Sequence, residues 1–293
     1  MKNVFLFLCS MMCFSSCSLD FDSDANIRPE SECVVISACL QPDSLITIRL
    51  YANVIDGNKS KVVPLDGARV ILKENDGILY DGVSDTVLCL NAYPKVGERY
   101  LLEVIHPDYP AVTAETRIPQ AIHCDVSTED DGLHNLSHFI FSETDVPLWI
   151  TVMAIFSDKM PLQYGELYTN NLSVDNVNRN EGGGNLMHDK VGSGYHDSFL
   201  RIKGKLLSKE TELFIYPMLS RSIIWENFMG REIRLIAASK EYDQYCKSYY
   251  QLISAPVNSD LASILYQPVN VYSNIEHGMG LFAGKNEVSY FIE

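Results

Sequence analysis

The chain has 293 residues, 46% of them hydrophobic, with 23 basic against 38 acidic side chains and a formal net charge of −15. An acidic balance of that size argues against nucleic-acid binding and against charge-driven docking on anionic lipid. The length is long for a single sandwich and comfortable for two domains.

The first element in chain order is a targeting segment. Lys2 precedes an apolar run from Val4 to Phe14. That run matches a signal-peptide core and is too short to span a bilayer, which needs roughly 20 residues. Phe14-Ser15-Ser16-Cys17 follows, and Ser15 and Ser16 supply the small side chains that a cleavage site needs. Cys9 and Cys13 follow the bulkier Leu8 and Met12 instead. Residues 14–17 resemble a bacterial lipobox, with Phe14 and Ser16 where Leu and Gly or Ala are commoner. Residues 1–16 are therefore expected to be a lipoprotein signal peptide, with Cys17 the acylated first residue of the mature chain. An ordinary secretory signal with a coincidental cysteine is the alternative. Two or more acyl chains suffice for stable anchoring, since each buried CH₂ contributes about 0.8 kcal/mol.

Residues 17–32 read as an acidic tether. Asp20, Asp22 and Asp24 alternate as in a calcium loop, but no glycine follows at the sharp turn and Ser31 stands at the twelfth position. A solvated tether is expected there, not a metal site. An acidic run just after such a cysteine also resembles the surface-export signal of Bacteroidetes lipoproteins. The outward face of the outer membrane is the expected location, and the periplasmic face the alternative. Removal of residues 1–16 takes away one lysine, leaving 22 basic against 38 acidic side chains. No later stretch of 18 apolar residues occurs, so no further membrane span is expected.

Five cysteines follow Cys17, at positions 33, 39, 89, 124 and 246. An odd number cannot pair completely within the chain, and no CxxC spacing points to zinc. Cys33 and Cys39 would share a strand face about 20 Å apart. Small buried apolar roles are expected for most of the five. One disulfide, with Cys89 as a member, is the alternative.

Residues 33–119 carry a period of two. Ile46, Ile48 and Leu50 alternate with Thr47, Arg49 and Tyr51, and Tyr100, Leu102 and Val104 with Leu101 and Glu103. Turn residues punctuate these runs at 42–44, 56–58, 66–67, 76–77 and 107–110. Short alternating strands between Gly and Pro turns predict an antiparallel sandwich. Residues 120–137 are polar, with Glu129-Asp130-Asp131-Gly132, and are expected to be a linker or loop. A second β-rich domain is expected over 138–293, with strand-like runs at 138–142, 149–156, 199–204, 212–219 and 231–238. The insert at 165–198 holds a triglycine, residues 182–184, that lacks the Lys-Ser/Thr of a phosphate loop and reads as a loop tip. One helix is expected near 240–253. Ser239 suits its N-cap, Glu241 and Asp243 its positive end, and Pro256 its stop. Tyr242, Tyr245, Cys246, Tyr249, Leu252 and Ile253 give it one apolar face.

Three stretches carry a family resemblance. The first is Val34 to Leu40 running on to Pro42-Asp43-Ser44. The second joins Pro64 to Val70 with Gly97 to Val104, His106 to Pro110 and Ala114 to Pro119. The third is "PVNVYSNIEHGMGLF", residues 268–282. Together they resemble the Bacteroidetes lipoprotein family known as domain of unknown function 4249, over about residues 30–285. His277 stands where that family more often has Asn. The resemblance implies a mostly β fold with an N-terminal immunoglobulin-like or carboxypeptidase-regulatory-like sandwich, lipid anchoring, and a gene that neighbours one for a TonB-dependent outer-membrane receptor. It implies no catalytic residues and no cofactor. Within the third stretch, Gly278 and Gly280 suit a turn or a close backbone approach, and Ser273 and Asn274 can bond backbone and fix it. These four residues are read as a structural motif.

Chemistry is sparse elsewhere. His134 and His138 are four apart without an intervening Glu, and His138 opens a strand-like run. No GxSxG occurs, and Asp130-Asp131 sits in the expected loop. The functional expectation is a non-enzymatic binding or accessory lipoprotein beside a TonB-dependent transporter, with the ligand unnamed. A glycan-binding or glycan-degrading surface lipoprotein and a structural or adhesive envelope component are the alternatives.

Overall fold

The computed structural model describes residues 32–57, 59–130, 135–141, 146–156, 163–164, 166–168, 174–175, 199–202, 211–216, 228–253 and 271–292. Cys17, the tether as far as residue 31 and the triglycine lie outside them. The chain is mostly β, with one helix among the described residues.

The expected alternation produces eight strands in the N-terminal half. They are β1 (Cys33–Leu40), β2 (Thr47–Asp56), β3 (Lys59–Pro64), β4 (Ala68–Glu74), β5 (Gly77–Ser84), β6 (Val87–Cys89), β7 (Arg99–His106) and β8 (Tyr109–Arg117). One sheet orders β5-β4-β7-β8; β1, β2, β3 and β6 belong to a larger one. Their inward faces meet in one core that includes Ile36, Leu50, Leu72, Tyr100, Leu102 and Val112. Full burial of such a side chain contributes about 1.5–3 kcal/mol.

The second half begins with a difference from the sequence reading. Residues 120–137, expected as linker or loop, contain β9 (Cys124–Asp130) and the start of β10 (Asn135–Phe141), which pair antiparallel. Their polar residues hid the pairing, which burial of Phe139 anchors beside Ile122. Then come β11 (Leu148–Phe156), β12 (Gln163–Tyr164), β13 (Glu166–Tyr168), β14 (Val174–Asp175), β15 (Phe199–Ile202), β16 (Thr211–Tyr216), β17 (Phe228–Ala238), α1 (Lys240–Ile253) and β18 (Met279–Ile292). Short strands thus occupy parts of the expected insert. Strands β13-β16-β10-β9 form a third sheet.

Strand β18 lies between β17 and β1, antiparallel to the first and parallel to the second. The regions read as 33–119 and 138–293 therefore share one sheet, ordered β14-β15-β11-β17-β18-β1-β2-β3. On the central strands β11 and β17, one face (Leu148, Ile150, Ile233, Leu235) packs with Phe139 of the third sheet. The opposite face (Trp149, Ile236, Ala238) meets Tyr242 and Cys246 of α1. Among the described cysteines all five are free thiols. Cys33 is buried and Cys124 and Cys246 are half-buried against core clusters, whereas Cys39 and Cys89 take outward positions on their strands, against the expectation of burial for most.

Candidate functional site

The third family-like stretch crosses between sheets. Glu276 forms a two-way backbone bridge with Thr113 at the free edge of β8, its N–H donating to the Thr113 carbonyl at 2.9 Å. Three residues later the chain enters β18 beside β1. Asn274 clasps the crossing: its Nδ2 donates to the Phe282 carbonyl at 2.7 Å and to the Glu115 carbonyl at 3.2 Å. Its Oδ1 accepts the Phe282 N–H at 3.0 Å. Ser273 Oγ accepts the Ile275 N–H at 3.3 Å, a local turn bond. His277 takes the left-handed region at φ 59°. Few non-glycine residues enter that region, and His and Asn are among those enriched there.

The two glycines act by different means. Gly280 has φ 110°, and a Cβ there would lie 1.9 Å from the Ile36 carbonyl oxygen of β1. Gly278 is outside the left-handed region, yet a Cβ on it would lie 2.7 Å from the Val34 carbonyl oxygen. Both let β18 approach β1 backbone to backbone.

Above this crossing a groove of about 450 Å³ opens on the outer face of β4, β7 and β8. The sheet register explains its floor. Lys73, Leu101 and Glu115 stand in one cross-strand row, and Ile71, Glu103 and Thr113 in the next. The bridge to Glu276 continues that second row. Tyr272, Asn274 and Glu276 of the crossing and Glu241 of α1 complete its lining. Thr113 Oγ1 donates to Glu276 Oε2 at 2.8 Å, and Thr116 Oγ1 donates to Glu241 Oε2 at 2.9 Å. Burial pushes the Tyr272 phenol above its ordinary range, and the charge of Glu241 adds to the rise. A second cleft of about 590 Å³, lined by Arg117, Pro147, Lys240 and Gln244, shares Glu115 and Glu241 with the first.

The N-terminus of α1 is held where these clefts meet. The Tyr242 N–H donates to Ser239 Oγ at 3.2 Å and the Ser239 N–H to the Gly284 carbonyl at 2.9 Å, so the expected N-cap also ties α1 to β18. Asp243 does more than favour the helix dipole. Its carboxylate accepts Arg201 Nε at 2.7 Å and a terminal guanidinium nitrogen at 2.6 Å, and Oδ1 also accepts Trp149 Nε1 at 2.9 Å. All three residues are buried. This network and the groove were not read from the sequence, because their members come from distant elements; the single local signal was an acid in the first helical turn.

Residues 18–290 match the family described as Domain of unknown function (DUF4249). The chain belongs to that family. A search of curated proteins gives no match. Among solved structures, the chain matches the yeast delta-COP-I mu-homology domain complexed with Dsl1 WxWxV peptide at 10% identity. That match covers 89% of this chain and 96% of the other, with a TM-score of 0.22, and at that score it carries no argument. No helix among the described residues is long and apolar enough to cross a membrane.

Proposed function

We propose that this family member is an outer-membrane lipoprotein, anchored through Cys17 and facing the cell surface. In this reading it is a non-enzymatic binding or accessory subunit of a TonB-dependent transporter. One observation supports it most: the Ser15-Ser16-Cys17 junction stands directly before the family-matched segment, which begins at residue 18. The first described strand begins at Cys33. A tether over residues 17–32 reaches up to roughly 50 Å if extended, at about 3.3 Å per residue. That is enough to set a β-rich body beside a membrane partner. The open groove, built from several elements, supplies a surface for binding. Tyr272 beside carboxylates favours the second reading, a glycan-binding surface lipoprotein, since its ring offers an apolar face with a polar hydroxyl and carboxylates accept hydrogen bonds from hydroxyl groups.

Metabolic labelling with a fatty-acid probe tests the anchor. Cys17→Ala should abolish labelling and release the chain from the outer-membrane fraction. Unchanged labelling overturns the anchor. Replacement of Asp20, Asp22 and Asp24 by Ala should lower protease accessibility on intact cells at similar total protein. Equal accessibility reduces the tether to a spacer.

A further inference from the structure

The charge in the groove is one-sided. Glu103, Glu115, Glu241 and Glu276 line it against a single basic side chain, Lys73. Carboxylates gathered in a concave site focus the potential and raise the local concentration of cations. Half-buried Ile71 and Leu101 are diagonal neighbours on the floor, Ile71 opposite Glu103 and Leu101 opposite Lys73. Such an apolar pair suits a methylene stem that carries a charged head. Tyr272 lines the groove, and its phenol feels the charge of Glu241. An aromatic ring next to acids is a favourable setting for an ammonium group. Threonine hydroxyls hold one oxygen of Glu241 and one of Glu276, so less side-chain freedom is lost on binding.

We propose that this groove binds a small alkylammonium ligand of the polyamine class. Its stem lies along Ile71 and Leu101, and its charged ends meet the carboxylates and Tyr272. The volume, about 450 Å³, falls in the small-molecule range and sets the choice of a free amine over a protein segment. The proposal rests on the groove being the binding site of the accessory reading and adds the ligand class.

Calorimetric titration of the full acylated chain in detergent with spermidine tests it. Maltohexaose and the peptide acetyl-Ala-Lys-Ala-Lys-Ala-amide serve as competing probes. Spermidine should bind, weakening as salt rises. The double variant Glu241→Gln/Glu276→Gln should bind about tenfold less tightly, the loss expected for two partly exposed ion pairs. Lys73→Gln should bind about threefold more tightly by removal of one like charge, a gain that a misfolded chain cannot produce. The proposal is overturned by equal spermidine affinity in all three proteins, by binding of maltohexaose alone, or by binding of the peptide alone. If spermidine fails while wild type still co-purifies with a TonB-dependent receptor, only the ligand class falls. If spermidine binds as expected and no receptor co-purifies, the accessory role falls and the site stands.

Discussion

Strand β2 reads TIRLYANVID and buries Ile48, Leu50 and Ala52 in alternation, whereas β11 reads LWITVMAIF and buries Leu148, Trp149, Ile150 and Thr151 in succession. The difference is in what covers each sheet. Strand β2 packs one face into the sandwich core. Strand β11 meets the third sheet on one face and α1 on the other. A strand covered on one face shows a period of two, and one covered on both reads as a continuous apolar run. The C-terminal half therefore depends on a correctly seated helix, which the N-terminal sandwich does not need. β18 joins the two, because it pairs with β17 and with β1.

Mutations rank by how they strike this arrangement, with stability read by urea denaturation and regional protection by hydrogen exchange. Gly280→Ala strikes the shared strand and should cost most. Positive φ strain and collision with the Ile36 carbonyl together cost up to about 6 kcal/mol. Protection should fall in β1 and β17 together; loss confined to β17 would show that the halves unfold separately. Asp243→Ala strikes the helix-covered half alone. It leaves Arg201 buried without its carboxylate, at a cost of about 3–5 kcal/mol. Amides of β11 and β17 should lose protection before those of β4 and β7, and the reverse order would contradict the helix dependence. Asn274→Ala removes the clasp between β8 and β18. Three hydrogen bonds go, and the stability loss should be about 2–3 kcal/mol with an unchanged fold by circular dichroism.

Mild alkali, up to about pH 10, should produce the smallest effect and reach both halves. Burial raises Tyr100 in the sandwich core to about 12 and Cys246 on the packed face of α1 to about 12. Both groups are favoured in their neutral forms by the fold. Their stabilisation is complete below their ordinary values, 10.0 for the tyrosine and 9.0 for the cysteine, and is lost as pH rises toward 12. Urea midpoints should be flat up to about pH 9 and fall beyond it. Tyr100→Phe should flatten the part of that fall above pH 10, and an unaltered profile would remove Tyr100 as a cause.

Much of this was legible locally. The N-terminal strands, their turns, the Ser239 cap and the span of α1 follow from alternation, turn residues and capping chemistry. The parallel pairing of β1 with β18 was not, because nothing in either strand states its partner some 240 positions away. Strand β9, CDVSTED, lacks enough apolar residues to declare itself and forms by pairing with β10. At the crossing, close packing was readable from Gly278 and Gly280, but the Asn274 bonds to Phe282 and Glu115 span 8 and 159 positions. The groove was invisible for the same reason: the sheet register, α1 and the returning chain assemble its carboxylates.

Purification of the tagged, acylated chain from detergent-solubilised outer membrane tests the central claim most directly. Mass spectrometry identifies what co-purifies. The account predicts a TonB-dependent receptor with the wild-type chain and its loss with Cys17→Ala. Recovery of fimbrial or adhesive components in its place, or of the same receptor with an unanchored chain, would contradict it.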